Sequence, residues 1–208
     1  MDRNIKFIYF DLGNVILDFD HDLACQNIAS LCGIEAGKVR QLVFESELQH
    51  RYESGRVTTV EFYEEFCKQT GTQPNLGELC YAASSIFKLN APVVSVIAQL
   101  KFTGHRLGIL SNTCEAHWEY ATKKPFGILN HFFDVVVLSY EIGSMKPEPE
   151  IYERAIELAG VDAGEIFFMD DRPENVEAAR EAGIDSVVFE NSEQLFNELR
   201  KRNVAMNS

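Results

Sequence analysis

Apolar positions along the chain follow two rhythms. Phe7, Ile8, Tyr9 and Phe10 are apolar without a break and run into Asp11, followed by a Gly13-Asn14 turn. An apolar run ended by turn residues is the pattern of a strand buried on both faces. From about Asp18 to Phe87 the apolar residues recur at helical spacing instead. Leu23, Ile28 and Leu31 predict a helix closed by Gly33, and Val39, Leu42 and Val43 a second. Residues 45–54 predict a third, stopped by Gly55. Thr58 and Glu61 have the spacing of a capping box, in which hydroxyl and carboxylate satisfy each other's free backbone N–H groups, so a fourth helix opens there. Residues 70–75 read as a loop and 76–87 as a fifth helix, with no convincing strand in this stretch.

After Pro92 helix and strand alternate. Helices are predicted over 92–101, 115–121, 149–159, 173–182 and 192–200, and strands over 106–110, 134–138, 166–169 and 186–189. That alternation builds βαβ units and a parallel sheet. The expected fold is α/β, a Rossmann-like parallel sheet sandwiched by helices, with an α-helical cap inserted after the first strand. The core would span 1–17 and 88–208, and the cap 18–87.

Composition narrows the partners. The 208 residues are 46% hydrophobic and 25% charged, an ordinary globular mix. A net charge of −13 argues against nucleic acid or an anionic membrane, both of which want a basic surface. The five cysteines, an odd number without a C-x-x-C pair, read as reduced thiols rather than disulfides or a zinc site. The N-terminal residues lead into a strand with no signal-like apolar region, and no apolar run approaches the roughly 18 residues of a membrane span. A cytoplasmic protein is expected, as a monomer or, alternatively, a homodimer.

Chemistry gathers where strands end. The first strand ends in Asp11, the second in Ser111-Asn112-Thr113, and the fourth in Asp170-Asp171; Lys146 lies in the loop after the third. In a parallel sheet these groups share one edge, where α/β proteins bind ligands. Carboxylates crowded together repel unless a cation sits among them, and Mg²⁺ suits hard oxygen donors. A carboxylate also serves as nucleophile on phosphorus, while a hydroxyl and a Lys hold phosphoryl oxygens.

The motifs D-L-G-N-V (11–15), L-S-N-T (110–113), M-K-P (145–147) and F-M-D-D-R-x-E-N (168–175), in this order and with the helical insertion, resemble the haloacid dehalogenase-like (HAD) superfamily. Within it the chain is similar to a bacterial branch that includes an α-D-glucose-1-phosphatase and is related to the N-terminal phosphatase domain of soluble epoxide hydrolase. The resemblance implies a Mg²⁺-dependent phosphatase acting on a small phosphorylated metabolite, such as the sugar phosphate glucose 1-phosphate. By the same resemblance Asp11 is nucleophile and metal ligand, and Lys146 is catalytic, steadying nucleophile and phosphate. Ser111 and Asn112 would bind phosphate, and the Gly13 carbonyl, Asp171 and Asp170 would complete the metal site. Asn175 matches a position often acidic in relatives.

One departure stands out. The family's phosphatases usually carry a second Asp two residues after the nucleophile, as general acid/base; here that residue is Gly13. Asp18, Asp20 and His21 near the hinge, and Glu47, His50 and Glu53 on the cap, are the side chains that could stand in. The competing readings are a haloacid dehalogenase-type hydrolase, which also lacks that Asp, and a non-catalytic binder of a phosphorylated metabolite.

Overall fold

The structure, a computed structural model, describes residues 4–123, 126–127 and 129–206. Strand β1 (Phe7–Phe10) leads through a tight turn to β2 (Leu17–Asp18). Five helices follow: α1 (His21–Cys32), α2 (Ala36–Val43), α3 (Glu47–Glu53), α4 (Thr59–Thr70) and α5 (Leu76–Ser84). The chain returns through β3 (Lys88–Leu89) to α6 (Ala91–Phe102), β4 (Arg106–Ser111), α7 (Glu115–Thr122) and α8 (Leu129–Phe132). Then come β5 (Val135–Leu138), α9 (Ser139–Ile142), α10 (Pro149–Ala159) and β6 (Ile166–Asp170). The chain continues with α11 (Pro173–Glu181), β7 (Asp185–Val188) and α12 (Ser192–Lys201).

The main sheet has the order β5-β4-β1-β6-β7, and every neighbouring pair is parallel. Its middle strand is β1, which explains the unbroken apolar run: alternate side chains enter different cores. Ile8 and Phe10 pack with Val93, Ile97 and Leu100 of α6 and Leu195 and Leu199 of α12. Phe7 and Tyr9 pack on the other face with Ile151, Tyr152 and Ala155 of α10 and Ala179 of α11. Gly108 on β4 makes room for this second layer, since a Cβ there would lie 2.4 Å from the Tyr9 ring. Among the described residues no helix is long and apolar enough to cross a membrane.

The inserted helices bury their own cluster, built on Cys25, Ile28, Val39, Leu42, Phe66 and Leu79. Thr58 and Glu61 form the expected capping box at the start of α4. The stretch expected to hold no strand holds only helices between Phe19 and Phe87, and a two-residue strand flanks it at each end: β2 and β3 pair antiparallel, Leu17 with Leu89 and Asp18 with Lys88. The Asn90 N–H also donates to the Ile16 carbonyl at 2.9 Å, so the two crossings between core and insertion run side by side. Two-residue strands carry no periodicity, which is why the sequence pattern passes over them. The short helices α8 and α9 escape for the same reason. Helix α5 also stops at Ser84, earlier than its apolar pattern suggests, because Ile86 and Phe87 turn toward the sheet edge.

Helix α3 ends against the core. Gly55 has φ +69°, and a Cβ on it would lie 2.3 Å from the Tyr140 carbonyl oxygen of α9. We expect Gly55→Ala to destabilise the protein by ~2 kcal/mol or more, from a strained φ plus a backbone clash. Gly71→Ala is the control: it has φ +75° with open space around the site, so it should lose ~1 kcal/mol. Urea unfolding of the two variants checks the difference; equal losses would mean that α3 is not seated on α9.

Candidate functional site

Three carboxylates meet at the edge where the parallel strands end. Asp11 follows β1 and Asp170 closes β6; both are buried, Asp170 completely. Asp171 is half-buried beside them, and each of the three offers an oxygen within 4.8 Å of the others. Strands β4 and β6 each run one residue further than their apolar patterns indicate. Ser111 pairs in register with Leu138, and Asp170 with Val188, so the sheet itself aims these side chains.

Lys146 sits among the carboxylates with 4% exposure. Its Nζ donates to Asp11 Oδ1 at 2.8 Å, Asp170 Oδ2 at 2.5 Å and the Leu110 carbonyl at 2.8 Å, which accounts for all three of its protons. The loop carrying Lys146 is held by Asn112. The Asn112 amide donates Nδ2–H to the Lys146 carbonyl and accepts the Lys146 N–H on Oδ1, both at 2.8 Å. Asp170 Oδ1 receives the Arg172 N–H and the Asn175 amide, each at 2.9 Å. Asn14, left-handed at φ 53°, donates to Asp171 Oδ2 at 2.9 Å.

Burial pushes the Asp11 carboxyl up to about 7; the Lys146 charge pulls it down and the neighbouring Asp170 pushes it up again. Burial pulls the Lys146 ammonium down, but attraction to Asp11 and Asp170 outweighs it and holds the group above its ordinary value. Three carboxylates around one ammonium leave surplus negative charge, an arrangement that a divalent cation would neutralise. The donors fit Mg²⁺, which takes a few carboxylate oxygens and keeps several waters. Asn175 Oδ1 is buried without a hydrogen-bond partner among the described residues, an acceptor that such a water shell would satisfy.

A cavity of about 60 Å³ lies between the sheet edge and the inserted helices. The core contributes Gly13, Ser111, Asn112 and His117, and the insertion and its hinge contribute Phe19, His21, Glu53 and Phe87. The structure therefore separates the six side chains proposed to replace the missing acid. Asp18, Glu47 and His50 are exposed, and Asp20 is the N-cap of α1. Only His21 and Glu53 of the six line the cavity. Trp118, shortly after Ser111, packs against the sheet's apolar core. Asn14, Phe19 and His117 were not assigned to the site from sequence. Asn14 carried a usable signal, a polar residue in the turn after Gly13; Phe19 and His117 reach the cavity through chain crossings that no local pattern encodes. The cysteines are all free.

Residues 5–183 match a family model described as haloacid dehalogenase-like hydrolase. A D-ribitol-5-phosphate phosphatase of Bacteroides thetaiotaomicron is 29% identical over 192 residues, covering 90% of this chain and 93% of that protein. The bifunctional epoxide hydrolase 2 of Rattus norvegicus is 25% identical over 129 residues, 61% of this chain but 23% of that protein. A HAD family enzyme of B. thetaiotaomicron, solved in complex with magnesium and inorganic phosphate, superposes with a TM-score of 0.81 at 26% identity, covering 90% of this chain and 95% of that one.

Proposed function

We propose, from the premise that the chain belongs to the haloacid dehalogenase-like hydrolase family, that it hydrolyses a small sugar or sugar-alcohol phosphate with the help of Mg²⁺. Its class within the family is phosphatase. The observation that carries the reading is the meeting of Asp11, Asp170, Asp171 and Lys146 at one sheet edge.

Asp11 is the nucleophile. Lys146 pins its Oδ1, which fixes the carboxylate's orientation for attack on phosphorus. The new Oδ–P bond forms as the bond from phosphorus to the sugar oxygen breaks, and that oxygen leaves as an alcohol after taking up a proton. Water then attacks the aspartyl-phosphate, releasing inorganic phosphate and restoring Asp11. Ser111 holds a phosphoryl oxygen through its hydroxyl, Asn112 lines the phosphate pocket while bracing the Lys146 loop, and Lys146 offsets phosphoryl charge. Asp11, Asp170, Asp171 and the Gly13 carbonyl would hold Mg²⁺, which when bound would supply positive charge to offset that of the phosphoryl group. The magnesium and phosphate bound in the B. thetaiotaomicron enzyme support this assignment. The helical insertion, acting as a cap, would open about the β2–β3 pair to admit a sugar phosphate and close over it.

A phosphate-release screen over sugar phosphates, sugar-alcohol phosphates and nucleotides tests the reading, with Mg²⁺ and EDTA arms. We expect release from sugar or sugar-alcohol phosphates with Mg²⁺ and at least a ~100-fold loss in EDTA. Release from none of the panel would overturn the assignment. Turnover that survives EDTA would point to metal-free chemistry of the dehalogenase type.

A further inference from the structure

We propose that Glu53, carried on the inserted helix α3, is the general acid and base of the reaction, a role that rests on the phosphatase reading above. It would give its carboxyl proton to the sugar oxygen as the bond from that oxygen to phosphorus breaks. The resulting carboxylate would then take a proton from the water that attacks the aspartyl-phosphate, which restores both groups.

The need for such a group arises at Gly13, which carries no side chain to move a proton. The position is also closed to one. A Cβ on Gly13 would lie 2.9 Å from Cε1 of Phe19, so the Phe19 ring fills the space an acid there would use. The ring is held by neighbours, with His21 at 4.9 Å and Phe87 at 6.2 Å between centroids. A proton donor has to come from elsewhere in the cavity.

Three protic ring or carboxyl groups line that cavity: His21, Glu53 and His117. Burial pushes His117 down to about 4, helped by the nearby His21. Burial and the Arg40 charge push His21 down as well, against the pull of Asp20, and its ring stacks on Phe44 at 4.4 Å. His117 is thus held in the neutral form, which is a poor acid, and His21 is shifted in the same direction. Glu53 is shifted the opposite way. Burial raises its carboxyl and favours the protonated form, against the Gln49 hydrogen bond and the charges of His50 and Arg172.

Glu53 is also held as a catalytic group must be. Gln49, one helical turn earlier, donates to Oε1 at 2.7 Å and leaves Oε2 without a hydrogen-bond partner among the described residues. The adjacent Tyr52 is buried; its hydroxyl pairs with Thr59 at 2.7 Å and accepts the N–H of Ala116, in the first turn of the core helix α7, at 3.1 Å. With Gly55 pressed on Tyr140, the last turn of α3 is fixed to the core on two sides. The acid would then arrive only when the cap is seated, so protonation of the leaving group waits for closure.

The test compares Glu53→Gln and Glu53→Asp with the wild type on two substrates, an alkyl phosphate active in the screen and p-nitrophenyl phosphate. The nitrophenolate leaves without a proton; the alkoxide does not. With Glu53→Gln we expect turnover of the alkyl phosphate to fall ~10²–10³-fold. On the aryl phosphate the first burst of nitrophenolate should stay within about threefold of wild type. The second step should slow, so that phosphorylated enzyme accumulates with the aryl substrate and not with the alkyl one. Glu53→Asp should recover part of the alkyl rate. Equal slowing of the burst and the alkyl reaction, or no slowing of either, would overturn the assignment. A wild type that releases phosphate from neither substrate would instead remove the phosphatase reading on which it rests.

Discussion

Asp11→Asn should lower phosphate release by at least ~10⁴-fold while leaving the protein folded. Asn keeps the shape of the side chain and an oxygen to accept from Lys146, which now lies 2.8 Å from Oδ1. It removes the negative charge, and with it both the attacking group and one donor to the cation. The stability of the variant carries a sign that can be worked out. Burial raises Asp11 to about 7 in the folded protein, against an ordinary value of 3.8. The folded state therefore holds this proton more tightly than the unfolded chain, and stability is lost as pH rises between those values. A neutral Asn escapes that loss, so in metal-free buffer above pH 7 its melting temperature should match or exceed that of the wild type. Calorimetry with parallel phosphate-release assays measures both. Retained turnover would mean that some other group attacks phosphorus.

Lys146→Met should show the second large effect, on stability as well as rate. The ammonium is almost fully buried and bridges Asp11 and Asp170, so an apolar replacement leaves two buried carboxylates facing each other. Removing one member of a buried ionic cluster destabilises by ~3–5 kcal/mol. The effect should depend on metal, because a divalent cation among the carboxylates replaces the lost countercharge and binds only the folded state. The melting temperature should therefore fall sharply in EDTA and recover in part with Mg²⁺. Turnover should drop by roughly 10²–10³-fold even with Mg²⁺, since Asp11 is no longer pinned and a phosphoryl counter-charge is gone. Identical losses with and without Mg²⁺ would argue against a cation among these carboxylates.

The parts of this fold that the sequence discloses are those where one physical requirement dominates. Strand β1 has to be apolar at every position because each face meets a different core, and Pro149 and Gly160 mark the first turn and end of α10. Asp11, Ser111 and Asp170 could be placed because a parallel sheet brings strand ends to one edge. Lys146 lies on a loop, and its position depends on Asn112 gripping its backbone from a different strand end. What lies opposite the sheet is harder to read. Glu53 shares its helix with Glu47 and His50, and nothing in their spacing says which one faces the cavity. That is decided by Tyr52 being buried and by Gly55 meeting Tyr140, contacts between residues far apart in the chain. The Phe19 ring beside Gly13 is a further case: sequence shows that an acid is missing there, and only the packing shows that the space is taken.

The central claim is that Asp11 carries the phosphoryl group. A single turnover with an active phosphate ester and Mg²⁺, quenched in acid within the first turnover and analysed by peptide mass spectrometry, tests it directly. We expect a phosphoryl adduct on the peptide that contains Asp11, absent from Asp11→Asn. Phosphate release at the normal rate with no adduct at any quench time, or an adduct on another residue, would contradict the account.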